Sequence, residues 1–232
     1  MQPYFFPYLG YFGLIKHTDR WVIFDTPQFM RHGWIERNRI LKPVDGWQYI
    51  SVPLIKHSHK TSIMNIEIRN DENWTDTIFA KLTYYKRVAS HYKETIKIIE
   101  NSLSVKTDSI AILNNNILKE VCGYIGIEYN YSFFSELNLE NNDINEPDEW
   151  ALNLCRGMKG VTEYWNPPGG VSFYDREKFN RNNIILKFYN QVLEPYNQKR
   201  TPFEPGLSII DVMMFNSKNE INKLLDNYNF IT

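Results

Sequence analysis

The spacing of apolar positions changes period along the chain, and each change predicts an element. Over residues 9–18, Leu9, Phe12, Leu14 and Ile15 supply the loose apolar face of a short helix, and the unbroken Trp21–Phe24 that follows reads as a buried strand. Residues 47–55 and 63–69 read as strands on either side of the polar stretch 56–62. From Trp74 the period becomes helical: Ile78, Leu82 and Tyr85 share one face, with Asn73 in an N-cap position. Further helices are predicted near 91–102 and 106–125, the latter stopped by Gly126. Residues 138–149 are polar and proline-broken and read as a surface connection. Helix returns over 149–160, residues 162–175 read as a stiff glycine-bearing loop, 184–189 as a buried strand, and 202–216 and 217–228 as closing helices. Strands at both ends around a helical middle predict an α/β fold. In it the terminal segments build the sheet of a single domain, 1–232, and residues 73–150 form a helical insertion or subdomain; α+β is the alternative.

Composition narrows the classes. A chain of 232 residues with 43% hydrophobic positions can bury a sizeable core by itself. Its net charge of -1, with Lys and Arg dispersed, gives no reason to expect nucleic acid or a membrane surface as partner. Neither an eighteen-residue apolar run nor a leader pattern is present, so the cytoplasm is the expected compartment. Cys122 and Cys155 read as buried small hydrophobes. Aromatics reach 15%, with fifteen Tyr, which suits either an aromatic-rich core or surfaces for sugars, nucleotide bases or partners.

Several stretches concentrate chemistry. The first 29 residues hold three prolines, two glycines and nine aromatics together with Asp25 and Gln28. Gly10, just inside a helix start, allows close backbone approach, and the free N–H groups there suit a carboxylate or pyrophosphate; a proline-rich turn is the plainer reading. Asp25 ends an apolar strand, where it could act as a base or bond a ribose, or else cap the following turn. "RHGWIERNRI" gathers Arg31, His32, Arg37, Asn38 and Arg39 around Trp34: guanidinium groups that can grip a phosphate or carboxylate, beside a stacking face. In "NPPGGVSFYD", Ser172 and Tyr174 could line a site, or the stretch could be a plain connection. Asp211 lies within an apolar helix and needs partners; an Arg from 37–39 or backbone N–H groups would serve. His57 and His59 flank Ser58 at a spacing poor for joint coordination, so no metal ligand set is evident. Motifs of serine hydrolases, Walker ATPases and ordinary dinucleotide dehydrogenases are missing.

The stretches "QPYFFPYLGYF", "WVIFDTPQF", "GWIERNRIL", "PPGGVSFYD" and "LSIIDVMMFN" occur in this order between residues 2 and 216, and together they resemble the WbqC-like family of bacterial O-antigen gene clusters. Members of that family usually carry a few residues before this Met, forming a short strand that runs into the Gln-Pro-Tyr. Here either the start lies upstream or that strand comes from elsewhere. A more distant likeness is to Rossmann-like nucleotidyltransferases and pantothenate synthetases: "YLGY" has the spacing of their H-x-G-H, and "DTPQF" is similar to the stretch after their second strand. Tyrosines replace the histidines, and a phenol cannot supply the cationic charge an imidazolium offers a phosphate. The fold these likenesses imply is a Rossmann-like, mostly parallel sheet.

The family resemblance implies a transferase of surface-polysaccharide synthesis that modifies an amino sugar by glycyl, other aminoacyl or acyl transfer, with a sugar or nucleotide-sugar as its small-molecule partner. On that reading Asp25 is the general base and Arg37 and Arg39 hold an anionic group. Asn38 and Gln28 orient the acceptor, Trp34 stacks, Tyr8, Gly10 and Tyr11 form the pocket floor, Ser172 and Tyr174 line it, and Asp211 supports it. A nucleotide or nucleotide-sugar is the cofactor or ligand so implied. A non-catalytic sugar-nucleotide binding protein and an adenylate-forming amide ligase are the alternatives.

Overall fold

Helices form where apolar residues keep the helical period, and the clearest stops are chemical. The computed structural model describes residues 1–137, 146 and 148–231. Most of the stretch 138–149, expected as a connection, lies outside the described residues. In chain order the elements are α1 (Leu9–Lys16), β1 (Trp21–Ile23), β2 (Arg37–Leu41), β3 (Trp47–Ser51), α2 (Trp74–Leu82), α3 (Tyr85–Val88), α4 (Tyr92–Leu103) and α5 (Ile110–Ile125). They continue with β4 (Tyr131–Phe133), α6 (Glu149–Gly157), β5 (Glu163–Asn166), α7 (Arg176–Asn180), β6 (Ile185–Gln191), α8 (Ile209–Phe215), α9 (Lys218–Leu225) and β7 (Tyr228–Ile231). Gly126 stops α5 in the left-handed conformation, φ 84°, which a glycine adopts without steric cost. Ser217 starts α9 with a capping box, its hydroxyl and the Glu220 carboxylate each satisfying the other's backbone N–H.

Among the described residues the strands join in three small sheets. β1 pairs with β4 in parallel, β2 with β3 antiparallel, and β6 lies between a parallel β5 and an antiparallel β7. The result is a mixed α/β architecture, and the strands do not join in the one mostly parallel sheet expected. One cause is β2–β3, where Asn38 and Ile40 turn inward while Arg37 and Arg39 turn out, so the pair has one wet face and closes as a hairpin through Gly46. A parallel strand buried on both faces cannot carry that pattern. Residues 63–69 form a single turn of tight helix, Ile63–Asn65, and isolated bridges instead of the expected strand. β2, β4, β5 and β7 are strands that the hydrophobic pattern does not predict.

Two apolar clusters hold the chain together. The larger takes residues from the first segment, β1–β3, α2–α5, α8 and α9, with Phe5, Phe6, Phe12, Tyr11 and Tyr85 all buried in it. A smaller one packs Leu152 and Cys155 of α6 and Phe179 of α7 against Leu186 and Phe188 of β6. Lys178 reaches 3.0 Å to Asp148 and ties α7 to the start of α6. Strand β6 serves both clusters, since its Tyr189 faces the large one and Phe188 the small one.

The entry to α1 explains the crowded opening of the chain. Phe6 sits at φ 39°, unusual for a residue with a side chain, and two buried groups hold it there. Asn38 donates its amide to the carbonyls of Phe5 and Phe6 at 3.0 and 2.9 Å, and the Ser208 hydroxyl donates to Phe6 at 2.7 Å. The Met1 ammonium donates to Val22 and the Phe24 N–H to Met1, so the first residue runs alongside β1 on the edge away from β4.

Candidate functional site

A cleft of about 850 Å³ opens between the first segment of the chain and the smaller cluster. One wall comes from Gln2, Tyr4 and the stretch from His17 to Phe24, the other from α6, the turn 158–162, β5 and Tyr174. Nine aromatic residues line it: Tyr4, Trp21, Phe24, Phe134, Trp150, Tyr164, Trp165, Phe173 and Tyr174. Phe24, Phe134 and Trp150 pack ring against ring across its two walls, with centroids 5.0 to 5.7 Å apart. Such rings offer flat apolar faces with polar edges, which suit the C–H face of a sugar or the plane of a base.

Polar groups are set among these rings in fixed positions. Glu163 accepts from the Trp165 indole at 2.6 Å and from Lys187 at 2.7 Å, and these bonds, Lys187 first, hold its carboxyl below the usual range. The Lys187 ammonium also sits 5.5 Å from the Trp165 ring centre. Asn166 donates to the Tyr164 hydroxyl at 3.0 Å, and the Tyr164 and Tyr174 hydroxyls are 3.2 Å apart. Burial pushes both phenols above their ordinary range. Gly170 makes this approach possible, since a Cβ there would stand 2.4 Å from Asn166 and 2.8 Å from the Tyr174 ring. Arg20 and Lys159 lie exposed at the cleft without an ion-pair partner among the described residues.

Of the residues singled out from the sequence, Tyr174 lines this cleft, and the others stand elsewhere. Tyr8 precedes α1, half-buried, with its ring over Gly10, where a Cβ would meet that ring at 2.6 Å. Tyr11 is buried in the larger cluster, donates to the Gln2 carbonyl at 2.7 Å and packs edge-on to Trp21. Asp25 is 2% exposed, and both its oxygens are engaged by Ser135, one by the N–H at 3.1 Å and the other by the hydroxyl at 2.6 Å. That bond joins the end of β1 to the turn after β4. Gln28 and Ser172 are exposed, and Asn38 is the buried clamp on Phe5 and Phe6.

Arg37 and Arg39 point to the outer face of the β2–β3 hairpin, where Arg37 lies 4.1 Å from the Tyr49 ring centre and Arg39 lies 5.4 and 5.1 Å from those of Trp34 and Trp47. Asp211 does not meet these arginines. Its buried carboxylate accepts from the Tyr85 and Tyr196 hydroxyls at 2.6 and 2.5 Å and from Gln198 at 2.8 Å. The reason is facing: Asp211 is inside, while alternation puts both guanidinium groups outside. The Tyr85 hydroxyl in turn accepts from the Leu41 N–H at 2.9 Å, which links Asp211 to the end of β2. Burial outweighs these hydrogen bonds and raises the Asp211 carboxyl to about 6. Both cysteines are buried free thiols, pushed up to about 12 by burial.

A profile of the WbqC-like protein family matches residues 2–223 of the chain. The chain belongs to the WbqC-like protein family. This WbqC-like chain is also 27% identical over 215 residues to an uncharacterized protein, Rv1507c, of Mycobacterium tuberculosis strain H37Rv, covering 92% of this chain and 90% of that one. No solved structure matches it significantly. The WbqC-like cleft contains residues that periodicity did not bring forward, chiefly Trp150, Glu163, Trp165 and Asn166. The aromatic pair Tyr164–Trp165 beside Glu163 was the available signal: such residues favour a pleated, half-buried strand more than the loop expected there. No helix among the described residues is long and apolar enough to cross a membrane.

Proposed function

We infer that this WbqC-like chain is a transferase of bacterial surface-polysaccharide synthesis that modifies an amino sugar, and that the cleft between the first segment and β5 receives the sugar or nucleotide-sugar. The observation that carries the reading is the set of nine rings interleaved with Glu163 and Asn166 in about 850 Å³, room enough for a nucleotide-sugar. Rings stack the sugar or base, Asn166 and the Tyr164–Tyr174 pair bond hydroxyls, and Arg20 and Lys159 attract a pyrophosphate. In the transfer, the acceptor amine forms the new bond to an acyl carbon. The bond from that carbon to its leaving group breaks with its electron pair going to the leaving group, and the proton the amine gives up goes to that leaving group. Glu163, held ionised, orients that amine by accepting one of its hydrogens.

A non-catalytic sugar-nucleotide binding protein is the second reading, favoured by Asp25, whose two oxygens are already engaged by Ser135. Thermal stabilisation across uridine and thymidine diphosphate sugars, the free sugars and ATP tests both. A nucleotide-sugar hit that Trp165→Ala weakens roughly tenfold supports the cleft. ATP as the sole hit, with pyrophosphate release, replaces the reading with ligation. With a hit established, Glu163→Gln separates the two readings. Binding retained with turnover lost supports the transferase, and binding without turnover of any acyl donor in the unaltered chain supports the binding protein.

A further inference from the structure

The outer face of the β2–β3 hairpin is a second, separate candidate. None of Trp34, Arg37, Arg39, Trp47 and Tyr49 lines the cleft, yet they form one continuous stack. Arg39 lies over the rings of both Trp34 and Trp47, Trp47 packs edge-on to Tyr49 with centroids 4.9 Å apart, and Arg37 lies over the Tyr49 ring. Both indoles are 39% exposed, large apolar area for an ordinary surface.

The arginines are oriented but incompletely engaged. Arg37 spends one terminal nitrogen on the His32 carbonyl, and Arg39 spends one on the Gly206 carbonyl at 3.1 Å. The Nε of each is buried without a hydrogen-bond partner, and the second terminal nitrogen, Nη1, makes no hydrogen bond among the described residues. Neither guanidinium has a carboxylate within ion-pairing distance. Glu36, next to Arg37 in the chain, turns one oxygen to the His32 N–H; it senses the Arg37 charge, but burial raises its carboxyl. Two positive planes, fixed by rings and by backbone carbonyls, therefore remain without a counter-ion on an aromatic surface. The two residues are i and i+2 on one strand, about 7 Å apart at the backbone.

We propose that this face binds an anionic saccharide, its apolar ring face stacked on Trp34 or Trp47 and its phosphate or carboxylate held by the free Nη1 groups of Arg39 and Arg37. The fixed guanidinium planes supply direction that a lysine could not, and the indoles supply the selectivity for a sugar over a bare ion. The site stands independently of the cleft.

Calorimetric titration of the full chain with glucose 1-phosphate, glucuronate, glucose and inorganic phosphate tests it. A sugar phosphate or a uronate that binds at least roughly tenfold more tightly than both glucose and phosphate supports the site, and which of the two does so tells the source of the anion. Arg39→Lys is expected to weaken that binding roughly tenfold with the charge retained, and Trp34→Phe to remove part of the ligand-induced fluorescence change. Trp165→Ala, in the cleft, is expected to leave it unaltered. Equal affinity for phosphate and sugar phosphate, or binding indifferent to Arg39→Lys but lost in Trp165→Ala, overturns the proposal. So does the absence of binding in a chain whose melting temperature Arg39→Lys lowers, which would make the stack a support of the hairpin alone.

Discussion

Asp211 shows how one buried carboxylate can set a pH dependence. Its carboxyl titrates near 6 in the folded chain against an ordinary value of 3.8. Below that ordinary value it is protonated in both states, and above about 6 it is ionised in both. Between the two the folded chain holds a proton that the unfolded chain has released, so stability falls as pH rises through the window. A gap of roughly two pH units corresponds to about 3 kcal/mol. Asp211→Asn is expected to flatten that slope while keeping the Tyr85 hydroxyl bonded. Urea unfolding of both chains at pH 4.5 and 7 reads the difference; parallel slopes would mean that Asp211 does not titrate there. That Asp211 needs partners was legible from a carboxylate among Ile, Val and Met. That they are Tyr85, Tyr196 and Gln198 was not, because nothing local brings residues up to 126 positions apart together.

Among the elements, α1 and β6 meet at a glycine with no room for a side chain. A Cβ at Gly13 would come within 2.0 Å of the Tyr189 hydroxyl and 2.4 Å of the Gln191 side chain, so the helix lies on the strand at the closest approach a glycine permits. Gln191 has little freedom to yield, since its amide donates to the Leu224 and Asn227 carbonyls and its Oε1 accepts from Tyr189. Gly13→Ala in a helix interior would ordinarily be favourable by about 1 kcal/mol. Here it is expected to destabilise by about 2 kcal/mol or more through overpacking, seen as a lower denaturation midpoint. Helices with a strong period, α2, α4 and α5, were legible, as was β6. Strand β1 was legible as the unbroken apolar run from Trp21, whereas β4, β5 and β7 were not, since they are too short to display alternation and their pairing partners are set by tertiary packing. Of the hairpin, β3 was legible within the strand expected at 47–55, whereas β2 was not: its arginines beside Trp34 read as a candidate anion-binding stretch without periodicity, and the pairing that sets them against Trp47 and Tyr49 is tertiary.

At the scale of the whole molecule, candidate chemistry divides between two places. The opening segment contributes a cleft wall through Gln2, Tyr4 and Trp21, and the guanidinium groups of 37–39 belong to a different face. The aromatic excess was a readable hint of both, whereas the assignment of each ring to core, cleft or hairpin depends on contacts between residues far apart in the chain. Since the cleft separates the larger apolar cluster from the smaller one, whatever fills it would span a seam in the fold. A molecule seated there couples the opening of α6 to that of the main body, because the small cluster could no longer loosen without releasing it. Amide hydrogen exchange in α6 is therefore expected to be faster than in α5 in the free chain and to slow selectively once a cleft ligand is added. Unchanged α6 exchange at saturating ligand would mean that the two halves are already locked. Occupancy of the cleft would act as a clasp, and the protein's resistance to proteolysis at α6 would report how much of the proposed cleft ligand surrounds it.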